Sequence, residues 1–203
     1  MGKLITELSV SLDGFVAGPN DGPDKPLGAG GEALFAWYQG GDTPLALPGT
    51  DMVFRVSHTS ADFLRPLWAG YGAMITGRRM FDIARAWGGR PPVEGPCFVV
   101  THAPAPEWQK PGSRFVFVTD GVASAVRQAQ AVAGERNISV ASASAMQQCL
   151  ALGLLDEVQL DLVPVLLGGG VRLFGPGDAP VALERTHALA APDVTHLRYR
   201  IVK

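Results

Sequence analysis

The segment AMITGRRMFD, residues 73–82, carries the strongest indications of fold and function in this sequence. Its apolar run, residues 73–76, predicts a buried strand that ends at Gly77, and the residues that follow are compatible with a helix. A helix that begins directly after a strand presents unpaired N–H groups and a positive dipole end, which together bind anions. Arg78 and Arg79 add two positive charges there. An ordinary turn with two solvated arginines is the alternative.

Composition and charge restrict the class of protein. The chain has 203 residues, of which 47% are hydrophobic, so we expect one domain over residues 1–203 with a substantial core. The net charge is −2 without a basic block, so neither nucleic acid nor a membrane is an expected partner. The N-terminus starts a strand pattern at once and shows no signal peptide. Cys97 and Cys149 lie in apolar segments and predict reduced, buried thiols in a cytoplasmic protein, with a disulfide as the alternative.

Strand and helix patterns alternate along the chain. Strands are predicted at residues 3–11, 97–101, 114–119, 137–141 and 157–163, and helices at 32–38, 57–68, 121–133 and 143–152. Residues 18–30 predict a long loop, residues 43–56 an irregular segment, and residues 185–191 and 195–202 an antiparallel strand pair. The pattern predicts an α/β fold with a central mixed, mostly parallel sheet, helices on both faces and an antiparallel C-terminal pair.

Motifs for several other chemistries are not supported. The segment GAGGEA, residues 28–33, matches a dinucleotide fingerprint by its letters, but a proline-rich loop rather than a strand precedes it. The histidines are scattered singly, without the spacing of metal ligands, and neither G-x-S-x-G nor H-E-x-x-H occurs. We therefore expect neither a metal site nor a serine nucleophile.

Four segments occur in an order typical of one family: SLDGFVAGPNDG (residues 11–22), ITGRRMFD (75–82), FVVTHAP (98–104) and LLDEVQLDLVPVLLGGGVRLFG (154–175). Together they resemble the dihydrofolate reductase-like family that includes the C-terminal reductase domain of the bifunctional riboflavin-biosynthesis deaminase–reductase. The resemblance extends over residues 3–202. It implies a dihydrofolate reductase-like fold and NADPH-dependent hydride transfer to a small pteridine-like or riboflavin-precursor-like substrate.

The resemblance also bears on assembly. Family members commonly form dimers, and the apolar strand at residues 158–166 with the late strand pair offers more hydrophobic face than one helix layer covers. We therefore expect a homodimer built on sheet or C-terminal strand surfaces. No zinc-deaminase segment precedes the resembling region, which predicts a stand-alone domain.

Cofactor-binding residues are assigned by the resemblance. The strand–Gly–Arg–helix element holds cofactor phosphates in the family, which corresponds here to Gly77, Arg78, Arg79 and Met80. The end of the next strand contacts the 2′-phosphate, at Thr101 and His102, and the residues after the first strand pass near the nicotinamide, at Val16 and Ala17. Two arginines suit a doubly charged 2′-phosphate better than a ribose hydroxyl, which favours NADPH over NADH.

One segment departs from the family pattern. The family has a Gly-Gly-containing turn against the cofactor pyrophosphate, where this chain has Ala141, Ser142, Ala143 and Ser144. Glycine permits close backbone approach, whereas alanine and serine are small and can still present a helix N-terminus and hydroxyls to phosphate. The substitution supports a second hypothesis, a non-catalytic nucleotide- or small-molecule-binding protein on the same fold.

Two carboxylates are candidates for catalysis, because reduction of a C=N bond needs hydride on carbon and a proton on nitrogen. Asp13 follows the first strand, and a turn-capping aspartate is its alternative. Asp62 lies on the predicted helix before residues 75–82, near the spacing at which dihydrofolate reductases keep a substrate carboxylate. A solvated first-turn aspartate is its alternative. A reductase for an unrelated carbonyl or imine compound is a third hypothesis.

Overall fold

The structure is a computed structural model that describes residues 1–175 and 180–203. Its strands are β1 (Leu4–Ser11), β2 (Phe15–Ala17), β3 (Thr43–Ala46), β4 (Val53–Val56), β5 (Tyr71–Gly77), β6 (Cys97–Val100), β7 (Phe115–Val118), β8 (Asn137–Val140), β9 (Glu157–Val163), β10 (Val171–Arg172), β11 (Leu183–Ala191) and β12 (Val194–Ile201). Its α-helices are α1 (His58–Ala69), α2 (Arg78–Ile83), α3 (Val122–Ala133) and α4 (Ala143–Ala151). Short 3₁₀ helices cover Gly31–Gln39, Arg85–Gly89 and Pro106–Trp108.

Eight of these strands form one sheet in the order β11-β12-β9-β1-β8-β5-β6-β7. The strands from β9 to β7 in this order are parallel to their neighbours. The C-terminal strands β12 and β11 continue the sheet in antiparallel pairing from β9. This arrangement confirms the predicted mixed, mostly parallel sheet with an antiparallel C-terminal pair.

Helices cover both faces of the sheet, as predicted. On the α3/α4 face, Ile75 packs with Val126 of α3 and Met146 of α4 in a cluster of buried apolar side chains. On the α1/α2 face, a second cluster includes Leu64 of α1 and Phe81 of α2. No described helix combines the length and the apolar character that crossing a membrane requires.

Two segments differ from the sequence prediction. Residues 43–56 were predicted to be irregular, but β3 and β4 form an antiparallel hairpin whose Leu45 and Val56 are buried. Pro44 in the first strand of the pair hides the pattern, because proline in a strand segment weakens the prediction of a strand. The helix after Gly77 is confirmed, but it spans only six residues and ends at Ile83.

Both cysteines are free and buried, as predicted. Burial raises the pKa of the Cys97 thiol well above its usual range and that of Cys149 to about 11. Thiols with such pKa values are poor nucleophiles at neutral pH, so the two residues serve packing.

Candidate active site

A crevice opens where β5 and β8 end side by side. The helix after β5 is α2, which packs on the α1/α2 face, whereas α4 follows β8 and packs on the opposite face. Because the two connections diverge, this edge is a topological switch point, where open α/β sheets bind ligands. A cavity of about 450 Å³ lies at this edge. Its lining consists of Gly77, Arg78, Val100, Thr101, His102, Ala103, Thr119, Gly121, Ser144 and Gln148.

Gly77 is required by the close approach of β5 to the start of α4. A Cβ atom at this position would lie 2.8 Å from Ser144 Oγ and 3.3 Å from Ser142 Oγ. The Gly77 backbone N–H donates to Ser142 Oγ at 3.0 Å. The glycine therefore lets the β5 backbone form part of the cavity wall at a place where a Cβ atom would crowd the two serine hydroxyls.

In the turn at residues 141–144, some residues hold the local structure together and one lines the cavity. Ser142 caps α4, because its Oγ accepts from Ala145 N at 3.3 Å as well as from Gly77 N. Ala141 N donates to Ile75 O at 2.9 Å, which joins the turn to β5. Ser144 lines the cavity, whereas Ala141, Ser142 and Ala143 do not. No described peptide bond is cis.

The two arginines point to different places. Arg78 lines the cavity, and its guanidinium is held by Asp82, 2.8 Å from Nε, and by the Ala103 carbonyl, 2.7 Å from Nη1. Arg79 lies outside the lining and donates to Asp21 in the long loop, with 2.6 Å between Nη2 and Oδ1. The hydrogen bonds and charge of Asp21 raise the pKa of Arg79. The structure thus brings one of the two predicted arginines to the cavity.

Thr101 and His102 lie at the end of β6, as predicted. Thr101 Oγ1 donates to Ala103 O at 2.8 Å and accepts from Ala103 N at 3.2 Å, which makes a local turn directly after the strand. Both residues line the cavity, and His102 is exposed to solvent there. Their position opposite Gly77 agrees with a shared ligand site.

The cavity suits an anionic ligand. The N-termini of α3, at Gly121, and of α4, at Ser144, reach its wall together with the cation Arg78. None of the lining residues carries a carboxylate. Backbone donors, helix dipoles and a guanidinium directed at one space fit the phosphates of a nucleotide cofactor.

Besides Arg79 and residues 141–143, three further predicted cofactor residues lie outside this lining. Val16 and Ala17 belong to β2, which pairs with β10, and Ala17 is opposite Val171. A Cβ on Gly170 would lie 2.0 Å from Ala17 O, so the glycine-rich segment at residues 168–170 packs directly on this strand. Met80 lies on α2 beyond the cavity wall and is partly buried.

Hydrogen bonds to Asp13 connect the turn after β1 with the segment after β9. Its carboxylate accepts from Ser11 Oγ at 2.6 Å, from Leu167 N at 3.1 Å and from Gly168 N at 2.7 Å. The hydrogen bond from Ser11, with those from the two backbone groups, lowers the pKa of Asp13 to about 2. An aspartate that stays ionised at neutral pH does not supply a proton, so the geometry favours the turn-capping alternative.

Asp62 lies on the exposed side of α1. Its Oδ2 is 3.1 Å from His58 Nε2 and its Oδ1 is 3.7 Å from an Arg65 nitrogen, and its side chain is 55% exposed. It is not part of the cavity lining. The structure therefore does not bring Asp62 to Asp13 or to the residues predicted to bind the cofactor.

A group of polar side chains on the α1/α2 face was not predicted from the sequence. We call it the buried polar cluster: Glu7, Gln159, Asp161, His196 and Arg198. Glu7 pairs in register with Gln159, which pairs with Arg198, and Asp161 pairs with His196. Gln159, Asp161 and His196 are completely buried. The available signal was the alternation of polar and apolar residues along β9, but such alternation usually indicates that the polar side of a strand faces solvent. Here α1 and the 3₁₀ helix at residues 31–39 cover that side.

Hydrogen bonds connect the cluster to α1. Asp161 Oδ1 lies 2.7 Å from His196 Nδ1, and His196 Nε2 lies 2.9 Å from Ser60 Oγ. Gln159 Nε2 donates to Asp161 Oδ1 at 3.0 Å, and Arg198 Nε donates to Gln159 Oε1 at 3.1 Å. Asp161 Oδ2 and Arg198 Nη2 are buried without a hydrogen-bond partner among the described residues.

The order of strands, the switch-point cavity and the C-terminal strand pair define a dihydrofolate reductase-like α/β protein. The profile of the RibD C-terminal domain matches residues 2–197, and the chain belongs to that family of reductase domains. No curated protein matches the sequence.

Solved structures share the fold at low sequence identity. A protein provisionally assigned to riboflavin biosynthesis from Shewanella sp. PV-4 is 18% identical, with a TM-score of 0.70 and complete coverage of both chains. Dihydrofolate reductase from Enterococcus faecalis, in complex with NADP(H), is 12% identical with a TM-score of 0.58, over 100% of this chain and 98% of that one. The diaminohydroxyphosphoribosylaminopyrimidine deaminase/5-amino-6-(5-phosphoribosylamino)uracil reductase of Thermotoga maritima is 10% identical with a TM-score of 0.60, over 99% of this chain and 57% of that one.

Proposed function

We propose that this protein is an NADPH-dependent reductase that transfers hydride to a small pteridine-like or riboflavin-precursor-like substrate. The observation that carries the proposal is the cavity in which Gly77, two helix N-termini and Arg78 face one space. Membership of the RibD C-terminal domain family and a fold shared with an NADP(H)-binding reductase support it. We place the protein in the cytoplasm, where its free thiols would stay reduced.

We assign different phosphate groups of the cofactor to different residues of the cavity. We assign the pyrophosphate to the cavity wall at Gly77 and to Ser144 at the N-terminus of α4. We assign the 2′-phosphate to Arg78, Thr101 and His102, which line the cavity on the β6 side. Because Asp82 and Ala103 already hold the Arg78 guanidinium, little side-chain freedom would be lost on binding.

The nicotinamide end is assigned to the strand after β1. Val16 and Ala17 on β2 follow the C-terminal edge of the sheet, beside the turn that Asp13 fastens. When bound, the cofactor supplies a hydride to the substrate carbon. The protein has to orient the substrate against that position and to supply a proton.

A homodimer is part of the proposal. Strand β11 is one of the two edge strands of the eight-stranded sheet and is exposed over most of its length. An exposed edge strand is a ready template for pairing with another strand, here that of a second copy. Sedimentation at micromolar concentration tests it, and a monomer mass would contradict it.

Cofactor binding tests the proposal most directly. In a fluorescence titration NADPH should bind more tightly than NADH, and Arg78→Ala should remove most of that preference. A charge-assisted hydrogen bond contributes about 1.5–3 kcal/mol, which corresponds to a loss of roughly 10- to 100-fold in NADPH affinity. Arg79→Ala is the matched control, since Arg79 binds Asp21 outside the cavity, and it should change the affinity less than about threefold.

Two results would contradict the assignment. Equal affinities for NADPH and NADH in the unchanged protein would remove the 2′-phosphate site. Tight NADPH binding without oxidation of NADPH by dihydrofolate or by 5-amino-6-(5-phosphoribosylamino)uracil would favour the non-catalytic nucleotide-binding hypothesis or the reductase for an unrelated compound. A panel of carbonyl and imine compounds then separates these two.

A further inference from the structure

The α1/α2 face of the sheet contains polar atoms whose burial costs free energy, because no described group forms a hydrogen bond with them. Among the described residues, three buried side-chain atoms lack a hydrogen-bond partner: Thr76 Oγ1, Asp161 Oδ2 and Arg198 Nη2. Thr76 shares this face because Met74, two residues earlier on β5, packs in the α1/α2 cluster. Apolar side chains at such positions would be at least as stable, so each unpartnered atom calls for a role besides folding.

Glu7 lies at the centre of this face. Its Oε1 accepts from Trp68 Nε1 at 2.6 Å, and its Oε2 lies 3.3 Å from the Tyr71 hydroxyl. The charged groups that face it are Asp161 from β9 and Arg198 from β12. Glu7 keeps partial exposure although β1 lies between two strands and both sheet faces are covered.

The register of the sheet places Glu7 close to the cofactor cavity. Thr6 of β1 and Ile75 of β5 both pair with Val140 of β8, so Glu7 is level with Thr76, one residue before Gly77. Two strand spacings separate β1 from β5, which is about 10 Å across the sheet. That separation is shorter than an extended dinucleotide, so Glu7 lies within the length of a cofactor whose phosphates are held at Gly77.

We propose that Glu7 is the proton donor of the reduction and that the substrate binds on the α1/α2 face above it. The inference rests on the proposed reductase function. In the step, the carbon of the substrate C=N bond takes the hydride that the nicotinamide supplies, so the substrate is reduced and the nicotinamide is oxidised. The Glu7 O–H bond breaks, the substrate nitrogen takes its proton, and the Glu7 carboxylate regains a proton from water.

The surroundings of Glu7 keep its carboxyl group protonated. Burial, followed by the negative charge of Asp161, raises the pKa of Glu7 from 4.5 to about 8, against the opposing effects of Trp68, Tyr71 and Arg198. A donor must hold its proton at neutral pH, which Glu7 does and the ionised Asp13 does not. Asp161 is a positioning residue, because it acts through the charge it holds beside Glu7.

The decisive variant is Glu7→Gln, which keeps an oxygen for Trp68 and an amide for Tyr71 but has no acidic proton. With dihydrofolate and 5-amino-6-(5-phosphoribosylamino)uracil as substrates, its kcat should fall about 100-fold or more, the usual contribution of general acid catalysis. Its Kd for NADPH should stay within about twofold of the unchanged protein, since that site is separate. Glu157→Gln is the matched control: Glu157 is also buried but pairs with Lys3, and its kcat should not change.

Two measurements separate a proton donor from a merely structural glutamate. Infrared titration of the cofactor-free protein should show a protonated carboxyl band that disappears near pH 8 and is missing in Glu7→Gln. The kcat of the unchanged protein should fall as the pH rises through the same range. Asp161→Asn keeps an acceptor for His196 but removes the charge that raises the pKa of Glu7, so both transitions should move to lower pH.

The outcomes are distinct. A Glu7→Gln protein that turns over as fast as the unchanged protein overturns the inference and leaves the reductase function standing. If Glu7→Gln does not fold, transitions that stay in place in Asp161→Asn overturn it. If the unchanged protein does not bind NADPH, the proposed function fails, and the infrared titration still decides whether Glu7 holds its proton. A Glu7 that is already ionised at pH 7 overturns the inference in every case.

Discussion

The two faces of the sheet are built differently. Beneath α3 and α4 the strands present apolar side chains such as Ile75 and Val140, and both are completely buried. Beneath α1 the same sheet presents the buried polar cluster, in which two polar atoms have no hydrogen-bond partner within the described part of the chain. A helix packed on a sheet gains most from apolar contact, so the first face has the composition that stability alone would select. The second face departs from it where we place the substrate.

The face on which we place the substrate is therefore the face whose composition lowers the stability of the fold. Buried polar groups that are only partly satisfied lower the free energy of unfolding, and natural proteins keep them mainly at functional sites. The cavity at Gly77 opens at the strand ends, and Glu7 of the buried polar cluster is level with Thr76, one residue before Gly77. In our proposal the two regions together form one site, in which one part binds phosphate and the other binds a heterocycle with hydrogen-bonding edges.

The largest expected effect is on the apolar face. Ile75→Ala should lower the free energy of unfolding by about 2–5 kcal/mol, because it leaves a cavity between α3, α4 and the sheet. Urea unfolding followed by circular dichroism measures it. A loss below about 1 kcal/mol would mean that the α3/α4 face is not the stabilising core, and the contrast between the faces would disappear.

The next effect is a pH dependence that only the polar face should produce. The pKa of Glu7 is about 8 in the folded state against an ordinary 4.5, so the folded state holds the proton more tightly. The contribution of protonated Glu7 to the free energy of unfolding is therefore complete below pH 4.5 and is lost as the pH rises through 8. The melting temperature should fall between about pH 5 and about pH 9 more steeply in the unchanged protein than in Glu7→Gln. Parallel curves for the two proteins would contradict the raised pKa.

A smaller effect should separate two serines at the cavity. Ser142→Ala should cost about 0.5–2 kcal/mol, because it removes the cap of α4 and the acceptor for the buried Gly77 N–H. Ser144→Ala should change the free energy of unfolding by less than about 0.5 kcal/mol and weaken NADPH binding instead. The reverse pattern, with Ser142→Ala affecting only cofactor affinity, would exchange the roles that the structure gives them.

Sequence patterns predicted most of the fold because its elements have strong local signals. Strands β1, β5 and β9 and helix α3 were found within about three residues of their observed ends, since their periodicity is regular. The hairpin of β3 and β4 was missed, because Pro44 breaks the pattern and its buried face depends on distant packing.

The candidate site was predictable only in part, for reasons of distance along the chain. Gly77 and Arg78 were predicted from a local strand–turn pattern, and Thr101 and His102 were assigned by the family resemblance. All four line the cavity. The partner of Arg79 could not be predicted, because Asp21 lies in a loop that is separated from Arg79 by several strands and helices along the chain. The buried polar cluster was not predicted, because the position of α1 decides which side of β9 faces solvent. The local sequence of β9 does not encode that position.

The smallest expected effect tests the comparison within a single strand. Thr76 follows Ile75 but points to the opposite face, and its Oγ1 is buried without a partner among the described residues. Thr76→Val replaces that hydroxyl by a methyl group of similar volume, so the desolvation cost of the hydroxyl is removed and no hydrogen bond is lost. The free energy of unfolding should rise by up to about 1 kcal/mol, in contrast to the loss in Ile75→Ala. If Thr76→Val destabilises the protein by as much as about 1–3 kcal/mol, the hydroxyl has a partner in solution and the polar face is better satisfied than the structure indicates. Unfolding of both variants under identical conditions decides between these results, and the value for Thr76→Val then measures how much stability the α1/α2 face gives up at this position.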